Sequence, residues 1–110
     1  MNNKLCCPVE TTLSLISNKW KILIIRDLLK GKMRFGELKN SLHNITQKVL
    51  TQNLRQMESS GLIERTVYPE VPPRVEYSLT EMGSSLKSVL DVMYDWGINY
   101  HNQDKKPKIC

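Results

Sequence analysis

The sequence has no long apolar run. Its longest uninterrupted stretch, Ile22–Ile25, is bracketed by Lys21 and Arg26, whereas a helix that spans a membrane needs roughly 18 or more consecutive apolar residues. The residues at the N-terminus also lack the apolar segment of a secretory signal peptide. These absences exclude a membrane protein and make the cytoplasm the expected location.

Side chains that carry enzyme chemistry are scarce as well. There are two histidines, His43 and His101, and neither is spaced with the three cysteines in the way that metal ligands are. The chain contains no glycine-rich phosphate loop and no nucleophile motif. We therefore expect neither an enzyme nor a bound metal or cofactor.

The charges that are present are unevenly distributed. The chain has 110 residues, enough for one domain, and a formal net charge of +5. Residues 19–55 contain nine cations and two acids, whereas residues 58–95 contain three cations and seven acids. A basic half favours a polyanion as partner, and an acidic half suits a protein partner. Chance clustering on a solvated surface is the alternative.

Proline, glycine and capping residues divide the first part of the chain into helices. Pro8 suits the first turn of a helix that runs to about Ile16. A second helix over 19–30 is apolar on nearly every side and ends before Gly31, so we predict that it is central and covered.

A helix-turn-helix and a hairpin are predicted next. A third helix covers about 35–42, and residues 43–45 break it before Thr46 caps a fourth helix. Two short helices joined by a tight turn are typical of a helix-turn-helix. The stretches 62–68 and 74–80 predict two strands, joined by a stiff proline-rich loop.

A last helix is predicted from Glu81 to about Tyr100. The order of elements predicts a mainly α fold with a small β-hairpin, which is a winged helix-turn-helix with extra N- and C-terminal helices. Residues 8–101 form this domain, between a flexible tail at 1–7 and a polar tail at 102–110.

The fourth helix has an unusual polar face. Leu50, Leu54 and Met57 form its apolar side. The opposite side contains no acid and consists of Lys48, Thr51, Gln52 and Arg55. The second helix of a helix-turn-helix enters the major groove, where Gln pairs with adenine and Arg or Lys with guanine. We predict that this face reads DNA bases and that Thr46 and Gln47 contact phosphates; a surface helix that is merely poor in acids is the alternative.

Further cations flank the helix-turn-helix. Arg74 follows two prolines at the hairpin tip, where it is predicted to reach a minor groove or a phosphate; a solvated arginine is the alternative. Lys30, Lys32 and Arg34 precede the third helix and are predicted to contact phosphates without reading sequence.

The last helix carries an apolar stripe at helical spacing. The stripe consists of Leu86, Val89, Leu90, Met93, Trp96 and Tyr100. No predicted element follows that could cover it. A self-complementary apolar surface most simply forms a two-fold dimer, whereas packing back on its own domain is the alternative.

Three stretches carry a family resemblance. They are "CPVETTLSLISNKWKILIIRDLL", "RFGELKNSLHNITQKVLTQNLRQMESSGLIERTVYPEVPPRVEYSLTEMG" and "LDVMYDWG", which together span about residues 7–97. The chain thereby resembles the HxlR family of winged-helix transcriptional regulators, relatives of the MarR group. The resemblance implies a homodimer on inverted-repeat double-stranded DNA, with the helix from Gln47 as reader, the hairpin as wing and the terminal helices as dimer interface. "SNKW" and His43 depart from the family pattern outside the proposed reading face.

Some members of this family sense oxidants or electrophiles through the cysteine of an N-terminal Cys-Pro pair, here Cys7. A position at a helix N-terminus near Lys4 favours negative charge on such a sulfur. Cys110 of the other subunit is the possible disulfide partner, because a bond between the neighbours Cys6 and Cys7 would be strained. A plain reduced thiol is the alternative.

The predicted function is therefore a DNA-binding transcriptional regulator that represses by excluding polymerase from a promoter. Activation by recruiting polymerase would use the same contacts. The alternative function is a winged helix used for protein contacts without sequence-specific DNA reading. RNA is less favoured, because the major groove of an A-form duplex excludes a helix.

Overall fold

The computed structural model describes residues 7–104, which form six helices and three short strands. In chain order the elements are α1 (Pro8–Leu15), α2 (Lys19–Leu28), β1 (Met33–Arg34), α3 (Phe35–Ser41), α4 (Gln47–Ser59), β2 (Ile63–Tyr68), β3 (Arg74–Leu79), α5 (Glu81–Ser84) and α6 (Lys87–Asp104). This order confirms the predicted winged helix with an extra helix at each end. Over the described range, no helix has the length and apolar character needed to cross a membrane.

α2 is the central helix, as predicted. It begins at the cap residue Asn18, whose Oδ1 accepts a hydrogen bond of 3.1 Å from the Lys21 N–H. It contacts α3, α4, β3 and α6 and buries Ile24, Ile25 and Leu28. Each such side chain contributes about 1.5–3 kcal/mol relative to an exposed one. The apolar sides of α3 and α4 are therefore held against α2.

The helix-turn-helix consists of α3 and α4. The chain between them turns at Asn44, whose φ of 72° lies in the left-handed region that Asn tolerates better than most residues. Thr46 caps α4, since its Oγ1 accepts a hydrogen bond of 3.1 Å from the Val49 N–H. Leu50, Leu54 and Met57 are buried in the core. The predicted apolar side of α4 is therefore confirmed.

The wing differs from the predicted two-stranded hairpin in one respect. β2 and β3 pair antiparallel, but β1 pairs with the other edge of β3, through Met33↔Tyr77 and Arg34↔Glu76. A strand of two residues is too short to show an alternating pattern, so nothing local in the sequence predicted it. β1 ties the start of α3 to the wing.

The predicted last helix is divided in two. Thr80 caps α5, since its Oγ1 accepts a hydrogen bond of 3.0 Å from the Gly83 N–H. α5 ends after one turn: the Ser85 N–H is shared between the carbonyls of Glu81 at 3.1 Å and Met82 at 3.2 Å, and the Leu86 N–H donates three residues back to Gly83 at 3.1 Å. Glycine and serine are poor helix formers, which fits a break at this point.

α6 continues to Asp104, beyond the predicted helix end near Tyr100 and into the predicted C-terminal tail. Cys6, Cys110 and the remainder of the two predicted tails lie outside the described residues.

Candidate nucleic-acid interface

The predicted reading face lies on the solvent side of α4. Lys48, Gln52 and Arg55 are exposed, and Thr51 is partly buried beside them. Neither cation forms an ion pair with any residue in 7–104. The face therefore presents unpaired donors on a helix whose opposite side is fixed in the core, as base and phosphate recognition requires.

The start of α4 is also open to solvent. Thr46 and Gln47 are both exposed. Because the Thr46 oxygen accepts from Val49, the hydroxyl hydrogen of Thr46 is left as a donor. The first turn of a helix also carries backbone N–H groups and a partial positive charge that suit a phosphate. This end of α4 fits the predicted phosphate contacts.

Asp27 is a positioning residue that the sequence analysis missed. Its side chain is buried at the end of α2, where it accepts a hydrogen bond of 2.7 Å from the Ser41 hydroxyl and pairs with Arg26 at 3.0 Å. The Ser41 contact joins α2 to the end of α3, directly before the turn into α4. Nothing local in the sequence identifies this pair, since 14 positions separate the two residues.

A cleft of about 250 Å³ separates α4 from the wing. It is lined by Thr51, Leu54, Arg55, Glu58, Arg65 and Tyr77. Arg65 pairs with Glu58 at 3.6 Å, which links β2 to α4. Burial raises the pKa of Tyr77, an effect that Arg65 opposes, so this phenol is neutral at physiological pH. Arg65 is a cation beside the reading face that the sequence analysis did not single out.

Arg74 is held within the wing. Its Nη2 lies 3.2 Å from Glu70 Oε2 and its Nε 3.7 Å from Glu76 Oε2. Its guanidinium carbon lies 4.1 Å from the centre of the Tyr68 ring. The side chain is 30% exposed. A DNA contact by Arg74, which stays a prediction, requires a phosphate to compete with two carboxylates.

The three cations that precede α3 have different surroundings. Lys30 is exposed and has no ion-pair partner in the described part of the chain. Lys32 is exposed and lies 3.8 Å from Glu76. Arg34 is exposed, and its backbone N–H donates to Glu37 Oε1 at 2.8 Å. The Lys30 and Arg34 side chains are the more available for phosphates.

The predicted apolar stripe divides into two parts. Leu86, which directly precedes α6, and Leu90 pack against the core of their own domain, and Val89 is partly buried. Met93, Trp96 and Tyr100 are exposed, and Trp96 stacks on Tyr100 with ring centres 5.5 Å apart. The alternative to a dimer interface is that the stripe packs on its own domain. This alternative holds for Leu86 and Leu90.

α1 is apolar on its exposed side. Val9 and Leu13 are 65% and 59% exposed, and α1 buries none of its own residues. Cys7 precedes it as an exposed free thiol at the cap position, and its carbonyl accepts a hydrogen bond of 3.1 Å from the Thr11 N–H. Between residues 7 and 104 no group of three or more His, Cys, Asp or Glu side chains is arranged to hold a metal ion.

Comparison with known proteins extends this picture. The profile of the HxlR-like helix-turn-helix family matches residues 15–105. The HTH-type transcriptional regulator YtcD of Bacillus subtilis is 52% identical over 95 residues, which are 86% of this chain and 75% of YtcD. The crystal structure of YtcD has a TM-score of 0.84 over 87% of this chain and 98% of that one, at 51% identity.

Two further solved structures are similar to the chain. The redox regulator HypR in its reduced form has a TM-score of 0.84 and 41% identity, covering 90% of this chain and 98% of HypR. The reduced transcriptional regulator YodB of Bacillus subtilis has a TM-score of 0.75 and 39% identity, covering 84% and 91%. The family profile spans most of the chain, and the relatives are transcriptional regulators with the same fold. The chain therefore belongs to the HxlR-like helix-turn-helix family and is a DNA-binding transcriptional regulator.

Proposed function

We propose that this regulator binds an inverted-repeat operator as a homodimer and reads its sequence with the exposed face of α4. The observation that carries the proposal is the acid-free surface of Lys48, Thr51, Gln52 and Arg55. Its cations have no ion-pair partner in the described range. An acid on this surface would be repelled by phosphates, whereas these side chains pair with base edges in the major groove.

The remaining cations position the protein without reading bases. Lys30, Lys32 and Arg34 contact phosphates beside the helix-turn-helix, and Arg74 contacts the backbone or minor groove from the wing. A two-fold dimer presents two copies of α4 about 34 Å apart, which is one turn of B-DNA. An operator that overlaps a promoter is then closed to polymerase, so the expected outcome is repression.

Selection from random duplex DNA tests the proposal. The reduced protein should enrich an inverted repeat whose half-sites are centred about one helical turn apart. Gln52→Ala should lose about 1–3 kcal/mol on the selected site and relax one position in each half-site.

Lys30→Ala should instead weaken binding to all duplexes alike and reduce the salt slope by about one. Lys87→Ala serves as a control on α6, where the lysine pairs with Asp91 at 2.8 Å. Retention of DNA without any shared motif would contradict the proposal and favour a winged helix that contacts proteins.

We propose in addition that Cys7 makes the regulator responsive to oxidants or electrophiles. Cys7 is an exposed free thiol at the start of α1, next to the apolar side of that helix. Two relatives support a redox role: HypR is described as a redox regulator, and YodB has been solved in reduced and diamide-treated forms. Oxidation would join Cys7 to Cys110 of a second copy, and the oxidant would take two electrons and two protons.

Non-reducing electrophoresis after diamide treatment tests this role. A covalent dimer should form and should disappear in Cys7→Ser and in Cys110→Ser. Cys6→Ser is the matched control and should keep the dimer. A dimer that persists in Cys7→Ser would remove Cys7 from the mechanism, without bearing on DNA reading by the reduced protein.

A further inference from the structure

We propose that a second cleft, on the side of α4 next to α1 and α2, is a binding site for a phosphate-sized oxyanion. The cleft measures about 440 Å³ and is lined by Ser14, Lys21, Arg55, Gln56, Ser59 and Ser60. It contains two cations, three hydroxyls and one amide, and no acid. The two cations, the amide and the Ser59 hydroxyl match an oxyanion, whose oxygens accept several hydrogen bonds at once.

The main support for this site is the environment of Lys21. The residue is 6% exposed, yet no carboxylate among the described residues pairs with it. Its Nζ donates one hydrogen bond, a long one of 3.4 Å to the neutral Ser17 hydroxyl. Lys21 lines a cleft that is open to solvent, and no carboxylate there neutralises its charge. A bound anion would supply the missing countercharge.

Three further side chains are available as donors, whereas the hydroxyls of Ser14 and Ser60 already donate to the Thr11 and Gln56 carbonyls at 2.7 and 2.8 Å. Within residues 7–104 the side chains of Arg55, Gln56 and Ser59 form no hydrogen bond or ion pair. The cleft between α4 and the wing differs, because there Glu58 already compensates Arg65. The wing cleft therefore has one acid for its two arginines, whereas the cleft that contains Lys21 has two cations and no acid.

Arg55 lines this cleft and also belongs to the reading face of α4. An anion in the cleft would draw the Arg55 guanidinium toward Lys21 and away from DNA. The regulatory part of the inference rests on the proposed DNA reading by α4, whereas anion binding itself does not.

Thermal unfolding without DNA tests the anion site. Sodium phosphate should raise the Tm of the wild type by about 5 °C over sodium chloride at equal ionic strength, once phosphate exceeds its Kd severalfold. Lys21→Met should lose this shift, and Lys87→Met, which removes an exposed lysine outside the cleft, should keep it. Ser59→Asp, which places a carboxylate at the exposed rim, should lose the shift even if Lys21→Met folds poorly.

DNA titrations distinguish a free anion from a DNA phosphate as occupant. If a free anion occupies the cleft, Lys21→Met leaves DNA affinity unchanged in phosphate-free buffer and abolishes the weakening caused by added phosphate. If a DNA phosphate occupies it, Lys21→Met weakens binding to every duplex about tenfold and lowers the salt slope by about one. The site is disproved if phosphate shifts the Tm of the wild type and of Lys21→Met equally and Lys21→Met binds DNA normally.

Discussion

Gly83 is the residue whose small size most clearly matters to the fold. It is buried in α5, and a Cβ at this position would overlap the carbonyl oxygen of Leu62 and lie 3.1 Å from Leu79 Cδ2. A backbone atom cannot move aside as the end of a flexible side chain can. Gly83 therefore allows α5 to pack directly on the chain that enters the wing.

Gly83→Ala should consequently destabilise the protein, by about 2–4 kcal/mol, because overpacking against backbone shifts a whole element. Gly36→Ala is the matched control. Gly36 lies in α3 with open space around its Cα, so alanine there should be neutral or stabilise by up to about 1 kcal/mol. Urea unfolding of both variants checks the prediction, and equal stabilities would contradict it.

Ion-pair partners limit how freely Arg74 can contact DNA. Glu76 lies between Lys32 at 3.8 Å and Arg74 at 3.7 Å. Each partly exposed pair contributes little stability by itself, about 0–1 kcal/mol. Together these ion pairs hold the side chains of Lys32 and Arg74 beside the carboxylates of the wing. The positions of the cations in the sequence do not predict this arrangement.

At the scale of elements, α4 is exposed on the face that would meet DNA and fixed on the opposite face by the core. Its start is defined by the Thr46 cap, and the preceding turn is held through Asp27 and Ser41. The orientation of the reading face therefore depends on contacts outside α4, although the residues of that face are all within it.

Thr46→Ala should cost about 1 kcal/mol of stability, because the Val49 N–H loses its acceptor at the start of α4. Thr46→Ser keeps a hydroxyl and should retain most of that stability. Chemical denaturation measures both variants. If serine and alanine proved equally destabilising, the methyl group rather than the cap would be the important feature.

At the scale of the whole molecule, the terminal helices α1 and α6 carry the exposed apolar side chains, whereas α4 carries the exposed cations of the proposed reading face. Val9, Leu13, Met93, Trp96 and Tyr100 are each at least 45% exposed. A contiguous exposed apolar patch usually marks an interface, whereas single exposed apolar side chains do not. The dimer proposed above would bury them and place two copies of α4 on one face.

Trp96→Glu should shift the protein toward the monomer, because a two-fold interface would bury the new carboxylate twice. Val67→Glu is the control: Val67 is 52% exposed on the wing, away from the terminal helices. Light scattering coupled to size exclusion should give a lower mass for Trp96→Glu alone. A wild type that is monomeric at all concentrations would refute the dimer.

The sequence by itself determined the order of the helices, the helix-turn-helix, the two long strands of the wing and the acid-free face of α4. These features depend on local properties: apolar spacing, capping residues such as Thr46, and prolines that end strands. The tertiary structure alone decided the pairing of β1 with β3, the burial of Asp27 and Lys21, the ion pairs of Arg74 and the close approach of Gly83 to Leu62. Most of these contacts join residues far apart in the chain, so no local pattern encodes them, and their energies depend on burial that only the folded chain creates.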